Sequence, residues 1–205
     1  MTQHFRLTIA QLNPTVGDLA GNAALARDAW AQGKAAGADM VALPEMFITG
    51  YSTQDLVNKP AFHLAAMAMI DTVARQLKHF LPNYTVFDEV RQFNRGPIQG
   101  PFAIPGGPRI GSPICEDAWY EDVAEAMVES GAEIILVPNG SPYYHGKIEK
   151  RMNTMVARVI ENNVPLVYLN MVGGQDDQAF DGGSFVLNRG GKLAVQLPMF
   201  DSTIA

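Results

Sequence analysis

The chain has 205 residues, of which 47% are hydrophobic and 18% are charged. This composition is typical of a folded globular protein with a sizeable core rather than of a disordered chain. The formal net charge of −6 argues against a nucleic-acid partner, which requires a positive surface.

A single domain spanning residues 1–205 is the prediction from length. No run reaches the roughly 18 apolar residues of a membrane span, and "MTQHFRLTIAQ" at the start lacks the pattern of a signal peptide. We therefore expect a cytoplasmic protein without a membrane partner. The four histidines are isolated from one another, so we also expect no metal site.

Strands and helices alternate along the predicted chain. In order, the apolar patterns predict a strand at 5–14, a helix at 22–37, a strand at 38–45, a helix at 60–70, a strand at 109–115, a helix at 120–131, a strand at 132–140, a helix at 147–163, a strand at 165–172 and a hairpin at 184–197 turned on Arg-Gly-Gly. Several of the strands are apolar along their whole length. This pattern indicates an α/β layer structure whose sheets are covered by helices.

Two places depart from a complete layer structure. Between Ile70 and Lys78 a helix runs almost directly into the strand-like "TVARQLK" (72–78), whereas such a connection usually takes a few residues. The second place is "MFDSTIA" (199–205), for which no closing element is predicted. The fold is therefore expected to lack some of its parts.

Cys115 is the only cysteine and lies in "GSPICEDAWY" (111–120), where a predicted strand ends and a helix is about to begin. A helix N-terminus favours the thiolate, and neighbouring backbone N–H groups can hold an oxyanion. A free cysteine is, however, more often a small buried hydrophobe. The residues around Cys115 alone leave both interpretations open.

Two charged residues at predicted strand ends favour chemistry. Glu45 follows a buried strand and a proline in "VALPEMFITGY" (41–51), a position that suits a general base. Lys78 ends another predicted strand in "LKHFLPNYTVFDE" (77–89), where its ammonium could stabilise a tetrahedral intermediate. The alternative for each is a solvated surface charge.

A resemblance to a known family joins these segments. In this order, "LPEMFITGY", "KHFLPNYTVFDE" and "PICEDAW" resemble the carbon-nitrogen hydrolase (nitrilase) superfamily with its Glu-Lys-Cys triad. More narrowly, "LPNYTVFDE", "CEDAW", "VPNGSPY" and "NMVGGQDD" together resemble the glutamine-hydrolysing domain of glutamine-dependent NAD synthetases. The likeness runs from about Arg6 to the C-terminus. It implies a four-layer αββα sandwich from which some central strands before Lys78 and the C-terminal end are expected to be missing.

The resemblance assigns a catalytic role to each matching residue. Glu45 would be the general base, Lys78 the cation that stabilises the intermediate, and Cys115 the nucleophile. Glu89 would support the lysine. The backbone N–H of Glu116 would hold the oxyanion together with Lys78.

For substrate binding, the resemblance points to Tyr84, Ser141 and Lys147, which would hold the amino-acid end of glutamine. A cation at position 147 can pair with an α-carboxylate. The alternative for Lys147 is a solvated lysine in the first turn of a helix.

The implied reaction releases ammonia from glutamine through a cysteine thioester, with no cofactor for this step. In the family, the ammonia passes to a synthetase domain that uses ATP and Mg to amidate an adenylated nicotinic-acid dinucleotide. No phosphate-binding run of the "SGGxDS" type occurs in these 205 residues, so that domain is expected as a separate ammonia acceptor. The family's pairing of αββα layers across subunits implies a homo-oligomer.

Two other interpretations stay open. The chain could be a free-standing amidase of the same superfamily acting on another small amide, against which the three substrate-binding candidates argue. It could also be a catalytically silent domain kept for oligomer contacts or for an ammonia channel, as the short junction before Lys78 suggests. The intact triad argues against a silent domain, which has no physical need for all three residues.

Overall fold

The structure is a computed structural model that describes residues 4–69 and 77–205. In chain order its elements are β1 (Leu7–Gln11), α1 (Leu19–Ala35), β2 (Met40–Ala42), α2 (Pro60–Ala68), α3 (Glu89–Gln92), β3 (Phe102–Ala103), β4 (Arg109–Gly111), α4 (Glu121–Glu129), β5 (Ile134–Asn139), α5 (Lys147–Asn162), β6 (Leu166–Asn170), β7 (Val172–Gln175), β8 (Gln178–Asp181), β9 (Phe185–Leu187), β10 (Leu193–Gln196) and β11 (Thr203–Ile204). Short 3₁₀ helices occupy Gln54–Asn58 and Cys115–Trp119.

The strands form two main sheets and one separate hairpin. The small sheet has the order β11-β1-β2, in which β1 and β2 are parallel. The large sheet has the order β10-β9-β6-β5-β4-β3, with β4, β5 and β6 parallel to one another. Strands β7 and β8 form the hairpin.

The alternation of side chains along β5 shows how the layers stack, because successive residues of a strand point to opposite faces. Ile135 and Val137 pack with Val123 of α4 and Met155 of α5. Leu136, between them, packs instead in a cluster with residues of β1 and β2. The large sheet is therefore covered by α4 and α5 on one face and by the small sheet on the other.

Helix α1 supplies the fourth layer. Its Ala29 packs with Ala10 of β1, and Gly33 lets the helix approach β2 closely, since a Cβ at this position would lie 2.6 Å from Val41 Cγ2. Asp18 caps the helix by accepting a hydrogen bond from the Gly21 N–H at 2.9 Å. The predicted αββα sandwich is confirmed.

Three sequence predictions require correction. The end of the chain does have a closing element, because Thr203–Ile204 pair antiparallel with β1. The strand predicted at 109–115 stops at Gly111, and the hairpin β7–β8 was not predicted, since the strand predicted at 165–172 includes only its first residue, Val172. The hairpin at 184–197 is confirmed as β9 and β10.

The lysine segment also differs from the prediction. Lys78 lies in irregular backbone rather than at the end of a strand. Most of the predicted strand "TVARQLK" and the short junction after Ile70 lie outside the described residues. Among the residues that are described, no helix combines the length and the apolar character needed to cross a membrane.

Candidate active site

The predicted catalytic residues meet at the carboxyl ends of parallel strands. Glu45 follows β2, Cys115 follows β4, and Gly140 comes directly after β5. In open α/β sheets this edge is the usual place for a ligand site. Lys78 reaches the same place from the loop that precedes α3.

Lys78 joins two buried carboxylates. Its Nζ donates to Glu45 Oε1 at 2.8 Å and to Glu89 Oε1 at 2.9 Å, and it lies 2.8 Å from Glu89 Oε2. The exposed fractions of the lysine, Glu45 and Glu89 side chains are 10%, 4% and 6%. The alternative of solvated surface charges is therefore wrong for both Glu45 and Lys78.

Each carboxylate has a second contact that fixes its orientation. Glu45 Oε2 accepts a hydrogen bond from the Gly140 N–H at 2.9 Å. Glu89 Oε1 accepts one from the Tyr51 hydroxyl at 2.8 Å. Tyr51 also packs against Gly140, where a Cβ would lie 2.7 Å from Tyr51 Cδ1, so only glycine fits at position 140.

The charges of this cluster act on one another. Burial lowers the pKa of Lys78, but Glu45, Cys115 and Glu89 outweigh burial and leave the pKa above its usual value. Burial and the neighbouring Glu45 raise the pKa of Glu89 to about 7, although Lys78 opposes the shift. Near neutral pH the lysine is therefore charged, whereas burial beside Glu45 opposes the ionisation of Glu89.

Cys115 is the first residue of the 3₁₀ helix and has a φ of +45°. This left-handed conformation is uncommon for a residue other than glycine and is often found at functional sites. The side chain is buried, as it would be if Cys115 were only a small hydrophobic residue. The charges of Glu45 and Lys78, however, act on the thiol. Its position therefore fits a nucleophile as well.

The expectation that a helix dipole favours the thiolate is wrong. The helix that begins at Cys115 is only a five-residue 3₁₀ helix, and the α-helix α4 begins at Glu121. Burial first, and then Glu45, raise the pKa of the Cys115 thiol well above its usual value, with Lys78 opposing them. The resting group is a neutral thiol, so any attack by Cys115 requires a base.

Glu116 and Tyr84 meet next to the thiol. The Tyr84 hydroxyl donates to Glu116 Oε2 at 2.8 Å, and the Tyr84 ring is about half exposed. The Glu116 N–H stands in the first turn of the 3₁₀ helix, where N–H groups have no partner inside the helix. Within the described part of the chain this N–H has no hydrogen bond, and it remains available to an oxyanion.

Lys147 begins α5 and faces the site. Its side chain lies over two aromatic rings, 4.4 Å from the Trp119 centroid and 4.8 Å from the Tyr144 centroid, and only 7% of the residue is exposed. Burial, followed by the charge of Arg151, lowers the pKa of Lys147 to about 8. The alternative of a solvated first-turn lysine is therefore wrong.

Ser141 is buried, and its polar groups contact the protein. Its N–H donates to Asn170 Oδ1 at 3.0 Å, while its carbonyl and hydroxyl oxygens accept from Arg151 at 2.8 and 3.3 Å. Arg151 in turn pairs with Asp181 at 2.7 Å. This network fixes the loop after β5, and the binding of substrate by Ser141 stays a prediction.

Several contacts of the site were not predicted from the sequence. Tyr51 ends the segment "VALPEMFITGY" and Trp119 ends "CEDAW", so both stand in segments already singled out, but their partners lie far away in sequence. Within residues 4–69 and 77–205, no group of three His, Cys, Asp or Glu side chains is arranged to hold a metal ion.

Comparison with known proteins adds an independent finding. The family model described as carbon-nitrogen hydrolase matches residues 6–87 and 70–205. The glutamine-dependent NAD(+) synthetase of Rhodobacter capsulatus is 51% identical over an alignment of 239 positions, which covers all of this chain and 43% of that protein. Because the chain has 205 residues, at least 34 aligned positions of the relative have no counterpart here.

Solved structures agree with this match. The glutamine-dependent NAD+ synthetase from Acinetobacter baumannii, in complex with ADP, gives a TM-score of 0.90 at 31% identity, covering 98% of this chain and 44% of the other. An amidase from Nesterenkonia sp. AN1 gives 0.83 at 21% identity over 98% of this chain and 91% of the other, a likeness that shows the fold alone. The chain thus spans less than half the length of the NAD synthetases that it matches.

Proposed function

The chain belongs to the carbon-nitrogen hydrolase family, and from this premise we propose that it hydrolyses the side-chain amide of glutamine through a thioester on Cys115. The observation that carries the proposal is the ammonium of Lys78, which bridges Glu45 and Glu89 beside a buried thiol. A base, a cation and a nucleophile at one site are the groups that acyl transfer requires.

The first step forms the nucleophile. Glu45 removes the proton from Cys115 Sγ, because the raised pKa of the thiol leaves little thiolate at neutral pH. The thiolate then attacks the amide carbon of glutamine, and the electron pair of the C=O bond moves to oxygen. The resulting oxyanion is stabilised by the Lys78 ammonium and the Glu116 N–H.

The second step releases ammonia. The oxyanion collapses, the C–N bond breaks, and Glu45 returns its proton to the departing nitrogen. A water molecule, deprotonated by Glu45, then attacks the thioester, and glutamate leaves as the Cys115 thiol re-forms. We propose that Tyr84, Ser141 and Lys147 hold the amino-acid end of glutamine and that this hydrolysis needs no cofactor.

The choice of substrate and partner follows from the relatives, which are glutamine-dependent NAD synthetases. We propose that the ammonia is used by a synthetase domain to amidate deamido-NAD. ATP and Mg would serve that domain only. A homo-oligomer stays a prediction, which light scattering of the purified protein would test.

The proposal is tested by incubating the protein with glutamine and measuring glutamate and ammonia, with Cys115→Ala as the control. We expect equal amounts of both products from the intact protein and none from the variant. No release from the intact protein would contradict the proposal and favour a silent domain. Release from another small amide but not from glutamine would favour a free-standing amidase.

A further inference from the structure

We propose that Asp117 is a positioning residue whose single carboxylate holds the loop carrying Lys78 against the turn carrying Cys115. The inference rests on the proposed function of this site, to which it adds a residue that does not touch the substrate. Its contacts do not depend on the identity of that substrate.

The carboxylate accepts three backbone hydrogen bonds, two from the distant lysine loop and one from its own turn, three residues before it. Oδ1 accepts from the N–H groups of His79 at 2.9 Å and Phe80 at 2.6 Å. Oδ2 accepts from the Ile114 N–H at 3.1 Å. Asp117 is only 1% exposed, so these bonds do not compete with water.

Each donor is a close chain neighbour of a catalytic residue. His79 and Phe80 follow Lys78 directly, and Ile114 immediately precedes Cys115. A shift of either segment relative to the other would therefore break a bond to Asp117. A displacement of about 1 Å is enough to reduce catalysis strongly.

The loop that carries Lys78 needs such a link because it is not hydrogen-bonded into a sheet. Besides the side-chain pairs of Lys78 with Glu45 and Glu89 and of Tyr84 with Glu116, it is bonded to the segment after α3: the Lys78 carbonyl accepts from the Gly96 N–H at 2.9 Å, and the Leu77 N–H donates to Gln99 Oε1 at 2.8 Å. The Phe80 ring also packs against Tyr120, with the ring centroids 4.5 Å apart. Asp117 thus adds a buried carboxylate to the ring contact and the Tyr84–Glu116 hydrogen bond that join the two segments.

The bonding pattern requires the carboxylate form. Both oxygens act as acceptors, and bonds of this kind favour the charged group and oppose the burial that raises the pKa of Asp117. An asparagine has one acceptor oxygen and one donor nitrogen. Asp117→Asn can therefore satisfy either the lysine loop or the cysteine turn, but not both.

The first readout does not involve glutamine. Lys78 lowers the pKa of the Cys115 thiol, so a displaced lysine should raise it. In Asp117→Asn we expect the midpoint of the pH dependence of Cys115 alkylation by iodoacetamide to move upward by at least 0.5 pH units. Asp117→Glu, which keeps two acceptors, should move it less.

The matched control is Asp39→Asn. Asp39 Oδ2 also accepts a hydrogen bond from a distant backbone N–H, that of Arg6 at 2.8 Å. Both residues are exposed, and Arg6 directly precedes β1. This variant should alkylate as the wild type does. An unchanged midpoint in Asp117→Asn, or an equal shift in Asp39→Asn, would overturn the inference.

Two further measurements distinguish a failure of this inference from a failure of the proposed function. If glutamine is hydrolysed, kcat of Asp117→Asn should fall at least tenfold while KM changes less than threefold, and equal kcat values would contradict the inference. If glutamine is not hydrolysed, an alkylation shift alone would keep the inference and reject the proposed function. In the wild type, the amides of His79 and Phe80 should exchange slowly with deuterium, and fast exchange there would overturn the inference even if the variant failed to fold.

Discussion

The ammonium of Lys78 lies 2.8 Å from Oε1 of Glu45, with both side chains almost fully buried. The predicted base and the predicted cation are thus paired with each other. Because the two buried groups are in direct contact, a change to one alters the electrostatic environment of the other.

Replacing Lys78 should therefore destabilise the protein as well as inactivate it. Lys78→Met leaves Glu45 and Glu89 buried without their cation, which typically costs about 3–5 kcal/mol. We expect a loss of that size in the free energy of unfolding measured with urea, and no detectable glutaminase activity. Lys59→Met, which removes an exposed lysine paired with Asp55, is the control, and a Lys78→Met variant as stable as this control would contradict the prediction.

The charge of Glu89 should lower the reactivity of the Cys115 thiol. This charge adds to burial and Glu45 in raising the pKa of Cys115. Glu89→Gln removes this charge with little change of shape, so the midpoint of Cys115 alkylation against pH should move downward. Glu133→Gln, at an exposed glutamate that accepts the Arg109 N–H, should leave the midpoint unchanged, and an upward shift in Glu89→Gln would refute the prediction.

Gly140 should tolerate no side chain. An added Cβ would lie 2.7 Å from the Tyr51 ring, displacing the ring that donates to Glu89 and the N–H that holds Glu45. We expect Gly140→Ala to lower kcat at least tenfold. At Gly100 a Cβ would be 3.9 Å from its nearest neighbour, so Gly100→Ala should keep wild-type kcat, and similar kcat values for the two variants would argue against this role.

The affinity for glutamine should depend on pH through Lys147. Its pKa is lowered to about 8, so it carries its charge below that pH and loses it above. If its ammonium pairs with the α-carboxylate, KM should rise between pH 7.5 and 9 while kcat changes less. Lys147→Arg stays charged over this range and should show a flatter KM, whereas identical KM profiles for the two proteins would count against the pairing.

The sequence predicted the layers of this fold well, because long apolar strands such as β5 and amphipathic helices such as α5 have clear periodicities. Strand β11 was missed because two residues carry no period, yet they pair with β1. The irregular backbone of Lys78 and the positive φ of Cys115 depend on long-range contacts rather than on local pattern.

The residues of the site also differ in whether they could be predicted from the sequence. Glu45, Lys78, Glu89 and Cys115 were found because the family motifs contain them. Tyr51 and Asp117 were not singled out, since each acts through hydrogen bonds that include residues 37 or 38 positions away. Whether the catalytic residues are held together depends on such bonds, and these bonds are visible only in the folded chain.

The most direct test of the central claim is labelling with a diazo-ketone analogue of glutamine, read by peptide mass spectrometry. We predict one label per chain, on Cys115, with glutamine slowing its addition and with no label on Cys115→Ala. A label on another residue, or labelling of Cys115 that glutamine does not slow, would contradict the claim that Cys115 is the nucleophile of a glutamine-hydrolysing site.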